Sequence, residues 1–207
     1  MSNHIQPIND NFSISHGDEL KDRKFYNNTV REYQVGCFLQ NESKSNKHLT
    51  LHVDFVQSKG DFSIGTDGFE LKENPGAVTE GFISFEVLNT QKVEISGLMA
   101  SYKDGVKFFL VYIPQSTYLN KRYTKYQNKL LLFETKELYE WIISNEYLVA
   151  KNNKPKWSNA LCYKVPVRDI DENVSFKNLI KATWNVTEDQ LNQYGTPEGI
   201  DSLFVEL

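Results

Sequence analysis

Three apolar segments between Gly81 and Asn145 decide the fold: FISFEV at 82–87, VKFFLVYIP at 106–114 and LLLFET at 130–135. The middle segment is an almost continuous apolar run, which is typical of a strand that is buried on both faces of a sheet. Between the first two segments, four apolar residues have the spacing of one helix face: Ile95, Leu98, Met99 and Tyr102. The stretch therefore predicts strands that alternate with helices and return in parallel or mixed directions.

The residues before this stretch predict a helix and an antiparallel meander. The helix is expected from Asp18 to about Gln40. Three strands should follow, and turn residues separate them: 48–56, then 62–65 continued by 68–71, and 81–88. The first of these strands alternates apolar and polar side chains, as expected of a strand with one buried face.

The residues after Asn145 predict smaller elements. A strand is expected at 161–167, and Pro166 places it at a sheet edge, because proline cannot donate to a central ladder. Helices are expected from Ser175 to about Thr183 and from Thr187 onward. The fold class is therefore α/β with mixed α+β character, in which helices flank a central mixed sheet of about five strands.

Length and composition suggest one domain. The chain has 207 residues, of which 40% are hydrophobic, enough for one sizeable core. We expect a polar N-terminal arm at 1–17, an α/β core at 18–146, and a basic loop with an acidic helical extension of the same domain at 147–207. The polar N-terminus lacks the features of a signal peptide, and no apolar run approaches the roughly 18 residues of a membrane span. A cytoplasmic location without membrane association is expected.

Several classes of site are disfavoured by the sequence. Cys37 and Cys162 are too few for a disulfide framework or a zinc cluster and are expected to be buried as small hydrophobic residues. The chain also lacks a P-loop, a dinucleotide-binding glycine motif, an H-E-x-x-H helix and a G-x-S-x-G turn.

The charges are unevenly distributed along a chain whose net charge is −4. The segments 118–129 and 147–168 carry basic residues and no acids, whereas most of the charged residues from Asp169 onward are acidic. Five basic residues are candidates for phosphate contacts because aromatic side chains lie among them: Lys121, Arg122, Lys125, Lys154 and Lys156. This pattern favours DNA as a partner.

The order helix, three-strand meander, helix, strand over roughly residues 18–114 resembles the PD-(D/E)XK, or restriction-endonuclease-like, nucleases. The resemblance implies a metal-dependent endonuclease that hydrolyses phosphodiester bonds in DNA, such as a restriction or phage and mobile-element enzyme. Mg²⁺ or Mn²⁺ would be the cofactor. A homodimer is implied if the enzyme cuts duplex DNA symmetrically.

The same resemblance suggests a set of site residues. Glu86 takes the position of the third-strand acid and Asp67 that of the second-strand acid, so both are implied as metal ligands and catalytic groups. Glu32 on the first helix would complete the metal site. Leu88 stands where the family keeps a lysine, and Lys92 is the implied substitute. Carboxylate oxygens are the ligands that hard divalent cations prefer.

Two alternatives stay open. Asp54 with Glu70-Leu71-Lys72 has the E-x-K spacing, but no helix is predicted between it and the next strand. As a function, a non-catalytic protein-interaction or regulatory protein on the same scaffold explains Leu88 directly. A small-molecule enzyme with a site formed by loops is a further possibility.

Overall fold

The computed structural model describes residues 19–52, 59–89, 94–116, 122–145, 150–151 and 160–200. The described residues fall into two compact units, of which the first contains those within 1–69 and 189–207 and the second those within 70–188. The first unit is therefore built from both ends of the chain, whereas the predicted arm, core and extension follow one another in chain order. Among the described residues, no helix has the length and apolar character needed to cross a membrane.

The first unit contains a long helix and an antiparallel meander. Its elements are α1 (Glu19–Glu42), β1 (Leu49–Leu51), β2 (Phe62–Ile64), the start of β3 (Asp67–Glu73) and most of α7 (Glu188–Asn192). A Cβ atom at Gly36 would lie 2.6 Å from Leu49 Cδ1, so the absence of a side chain there lets α1 approach the strands closely. Phe62 and Phe69 stack with their ring centroids 5.2 Å apart and join β2 to β3.

Gln34 joins α1 to the C-terminal part of the first unit. Its side chain is buried, and its Nε2 donates to Asn192 Oδ1 at 3.4 Å and to the carbonyl of Gly195 at 3.2 Å. Arg31 donates to Gln34 Oε1 at 3.3 Å. A buried amide is stable only when its polar atoms have partners, so residues 189–200 complete the surroundings of α1.

The second unit contains most of the remaining elements. Its strands after β3 are β4 (Phe82–Asn89), β5 (Glu94–Ile95), β6 (Phe108–Ile113), β7 (Lys129–Glu134), β8 (Ala150–Lys151), β9 (Ala160–Pro166) and β10 (Ile180–Asn185). Its helices are α2 (Gly76–Thr79), α3 (Gly97–Lys103), α4 (Thr135–Ser144), α5 (Asp169–Glu172) and α6 (Val174–Lys177), with a 3-10 turn at Thr124–Tyr126.

The strands form two sheets. One sheet has the order β1-β2-β3-β6-β7-β10, and the other has the order β5-β4-β9-β8. The predicted α+β class and the central mixed sheet with flanking helices are confirmed, with six strands in that sheet. The predicted meander is only partly correct: β1 with β2 and β2 with β3 pair antiparallel, but the predicted second strand is divided into β2 and β3, and the predicted third strand at 81–88 is β4 of the other sheet.

The core of the second unit is formed by every second residue of its strands, which point to the same face. Phe109, Val111 and Ile113 of β6 belong to one hydrophobic cluster with Ile83 and Phe85 of β4. Phe85 makes an edge-to-face contact with Phe133 of β7, with centroids 6.5 Å apart. The continuous apolar run of β6 is buried along nearly its whole length, as expected of a central strand.

Several element predictions are wrong. Of the three strands predicted to share one sheet, β6 pairs antiparallel with β7, and β4 lies in the other sheet. The helix predicted to span Ser175 to Thr183 ends at Lys177, and β10 follows it. The strand β9 is not an edge strand, since it lies between β4 and β8, and Pro166 is its last residue. Ile95, predicted on a helix face, lies in β5.

Candidate functional site

The third strand of the meander is β3, not β4. After β3 the chain forms the short helix α2, and β6 is the next strand beside β3 in the sheet. Along the chain, β4, β5 and α3 come between α2 and β6. Because β4 belongs to the other sheet, the acid that lies within the third strand of the meander and has a lysine two residues after it is Glu70, followed by Lys72.

Glu70 and Lys72 form a close ion pair on one face of β3. Lys72 Nζ lies 2.6 Å from Glu70 Oε1, and the two side chains are 15% and 40% exposed. Leu71 between them is buried, as expected when successive side chains of a strand point to opposite faces. β3 therefore presents a mostly buried carboxylate and a more accessible ammonium group side by side.

Glu86 occupies a different setting, and its predicted place on the third strand of the meander is wrong. It lies on β4 between the buried residues Phe85 and Val87, so its side chain points away from the core face of the four-stranded sheet. It pairs with Cys162 on β9. A Cβ atom at Gly97 would lie 2.8 Å from Glu86 Cβ, and the positive φ of Gly97, 52°, permits this close approach.

Asp67 is also misplaced in the predicted site. It is the first residue of β3 and follows the turn at Gly65, whereas the second strand of the meander is β2. Asp67 Oδ2 lies 3.8 Å from Lys47 Nζ in a solvent-exposed ion pair. Asp67 and Glu32 belong to the first unit and Glu86 to the second. Lys92 and the alternative acid Asp54 lie outside the described residues.

Asp61 is the carboxylate next to the second strand, and it was missed from the sequence. It directly precedes β2; its backbone N–H donates to the carbonyl of Phe69 at 2.8 Å, and its carbonyl accepts from His52 N–H at 2.9 Å. A Cβ atom at Gly68 would lie 2.8 Å from the Lys59 carbonyl oxygen, so glycine there leaves room for the chain before Asp61. An acid directly before the apolar residues of 62–64 was the available signal.

The pKa values of His52 and Cys162 are shifted by their surroundings. Burial, reinforced by the charge of Lys59, lowers the pKa of His52, whose Nε2 lies 3.0 Å from Ser63 Oγ. Burial, with the nearby Glu86 carboxylate, raises the pKa of Cys162 to about 11. Cys162 is therefore a thiol at neutral pH and not an activated nucleophile. Both cysteines are free and buried, as predicted.

The candidate phosphate contacts are partly described. Arg122 is exposed. Lys125 donates to Asp171 Oδ2 at 2.8 Å and lies 4.7 Å from the ring centroid of Tyr126, and the Asp171 carboxylate raises the pKa of Lys125. Lys121, Lys154 and Lys156 lie outside the described residues. The predicted role of these five residues in binding DNA stays a prediction.

The chemistry of the Glu70 carboxylate fits a divalent cation. The Lys72 ammonium group, 2.6 Å from Glu70 Oε1, shows that a positive charge is accommodated there. In the described part of the chain, no three acids, histidines or cysteines form a cluster that could hold a metal ion. Mg²⁺ usually keeps several water ligands and binds one or two carboxylates together with substrate phosphates, so it does not require a larger cluster.

Comparison of the chain with protein-family models, with curated proteins and with solved structures finds no match.

Proposed function

We propose that this protein is a Mg²⁺-dependent nuclease that hydrolyses phosphodiester bonds in DNA, with Glu70 and Lys72 at its active site. The observation that supports it is the adjacent carboxylate and ammonium on one face of β3, the third strand of the meander. This arrangement has the E-x-K spacing of the family that the chain resembles.

The two residues have distinct roles in this proposal. Glu70 would hold Mg²⁺ through its carboxylate oxygens, and the ion supplies charge neutralisation at the phosphate and a lowered pKa for bound water. Lys72 keeps a positive charge beside the phosphodiester while negative charge develops on its oxygens. The partial burial of Glu70 strengthens these charge interactions, because screening by water is weaker there.

The remaining features of the proposal come from the sequence. Arg122 and the basic residues Lys121, Lys154 and Lys156 would contact phosphates, with Lys125 contributing if its pairing with Asp171 is exchanged for a phosphate. A cytoplasmic location and a homodimer that cuts both strands are consistent with a DNA substrate. The main reason for a non-catalytic protein was the leucine in place of the lysine, and Lys72 removes that reason.

A plasmid nicking assay tests this function. Supercoiled DNA is incubated with the protein and Mg²⁺ or Mn²⁺, and the relaxed and linear products are measured. Glu70→Gln and Lys72→Met should each reduce cleavage at least about 100-fold, because each removes a charge required in the transition state. Glu73→Gln is the matched control, since it makes the same chemical change at an exposed position of the same strand.

The outcome discriminates between the possible sites. Cleavage by Glu70→Gln at the wild-type rate contradicts the proposed site. If Glu86→Gln abolishes cleavage while Glu70→Gln does not, the site lies on β4. Absence of cleavage by the wild-type protein on supercoiled, linear and branched DNA contradicts the nuclease function.

A further inference from the structure

The ion pair on β3 has a consequence for cation binding at Glu70. Lys72 Nζ lies 2.6 Å from Glu70 Oε1, which is the distance of a direct, charge-assisted hydrogen bond. A divalent cation binds carboxylate oxygens at roughly 2.0–2.6 Å. An ammonium group and a cation therefore cannot both occupy the same side of this carboxylate.

We propose that Lys72 competes with the metal ion for the Glu70 carboxylate. The affinity of Glu70 for a divalent cation is then reduced by the free energy needed to break the ion pair. The inference rests on the proposed function. It adds that the protein without metal keeps its carboxylate neutralised by its own lysine, and that metal binding releases the ammonium group. The Lys72 ammonium group is then no longer held by Glu70.

The burial of the two side chains supports this direction of exchange. Glu70 is mostly buried, and its carboxylate would lose a large part of its hydration without a partner. Lys72 is more exposed, and its flexible side chain can move into solvent at low cost. The lysine is thus the partner that leaves, while the carboxylate stays in place.

Metal binding without cleavage provides the test. Mn²⁺ binding to the full chain is measured by isothermal titration calorimetry and by the loss of the free Mn²⁺ signal in electron paramagnetic resonance. Lys72→Met should bind Mn²⁺ about tenfold more tightly than the wild type, because the competing charge-assisted hydrogen bond is absent. Lys72→Arg keeps the charge and should stay within about threefold of the wild type.

Two further variants keep the result interpretable. Lys72→Gln should show the same tightening if Lys72→Met does not fold, as judged by circular dichroism. Glu70→Gln identifies the site, since it should remove the Mn²⁺ binding that Lys72→Met strengthens.

Each outcome has one meaning. Unchanged or weaker Mn²⁺ binding by folded Lys72→Met and Lys72→Gln overturns the competition while leaving the nuclease proposal intact. Wild-type Mn²⁺ binding by Glu70→Gln overturns the metal site of the proposed function, and the competition with it.

Discussion

Glu70 and Glu86 are identical side chains on strands of the second unit, but their neighbours differ. Glu70 has an ammonium group at 2.6 Å, whereas Glu86 pairs with Cys162 and lies against Gly97. The E-x-K spacing around Glu70 is visible in the sequence. The choice between the two depends on which strand is third in the sheet, and pairing between distant strands cannot be deduced from local spacing.

His52 should make the stability of the protein depend on pH. Its pKa is lowered in the folded protein, so the unfolded chain takes up a proton first as the pH falls. The stability contributed by neutral His52 is complete above the unfolded pKa, near 6.5, and is lost as the pH falls toward the lower folded value. The slope for one proton is at most about 1.4 kcal/mol per pH unit.

Urea unfolding at pH 7.5 and pH 5.5 measures this effect. His52→Asn should lose less stability between the two pH values than the wild type does. His48→Asn, the same change at an exposed position, should behave like the wild type. Equal losses for His52→Asn and the wild type would show that His52 is not the group responsible.

At the scale of elements, the strongest patterns predicted the structure and the weaker ones did not. The helix from Asp18 and the central strand at 106–114 correspond to α1 and β6. The strand β10 was missed, although Ile180, Ala182 and Trp184 alternate with polar residues as a half-buried strand requires. Its pairing with β7 outweighs the helical tendency of the preceding residues.

The helix α6 is too short to be stable alone and depends on one aromatic side chain. Phe176 is fully buried and packs against Trp141 and Phe133, with ring centroids at 5.1 and 5.7 Å. Phe176→Ala should lower the free energy of unfolding by about 3–5 kcal/mol, as measured by urea denaturation.

Val174→Ala provides the control within the same helix. Val174 is 72% exposed, so its truncation should change the stability by less than about 0.5 kcal/mol. Similar losses for the two variants would show that α6 is not held by the packing of Phe176.

At the scale of the whole molecule, the net charge of −4 opposes the binding of a polyanion. Under the proposed function, divalent cations should strengthen DNA binding, because a cation bound by Glu70 would neutralise its carboxylate and displace the Lys72 ammonium group. Fluorescence anisotropy with a labelled duplex should show at least about tenfold tighter binding in Ca²⁺, a hard cation with oxygen ligands like Mg²⁺, than in chelator.

Glu70→Gln serves as the comparison for this measurement. It removes the carboxylate, so most of the effect of Ca²⁺ on the affinity for DNA should disappear. An affinity for DNA that is the same with Ca²⁺ and with chelator would contradict the role given to the cation.

The composition of the first unit from both ends of the chain has a consequence for biosynthesis. Residues 70–188 leave the ribosome before residues 189–200, so the second unit has its whole sequence available first. Until Asn192 and Gly195 emerge, the side-chain amide of Gln34 lacks the two acceptors that it has in the finished protein. The helix α1 is thus translated more than 100 residues before the segment that supplies hydrogen-bond acceptors to its buried Gln34 amide.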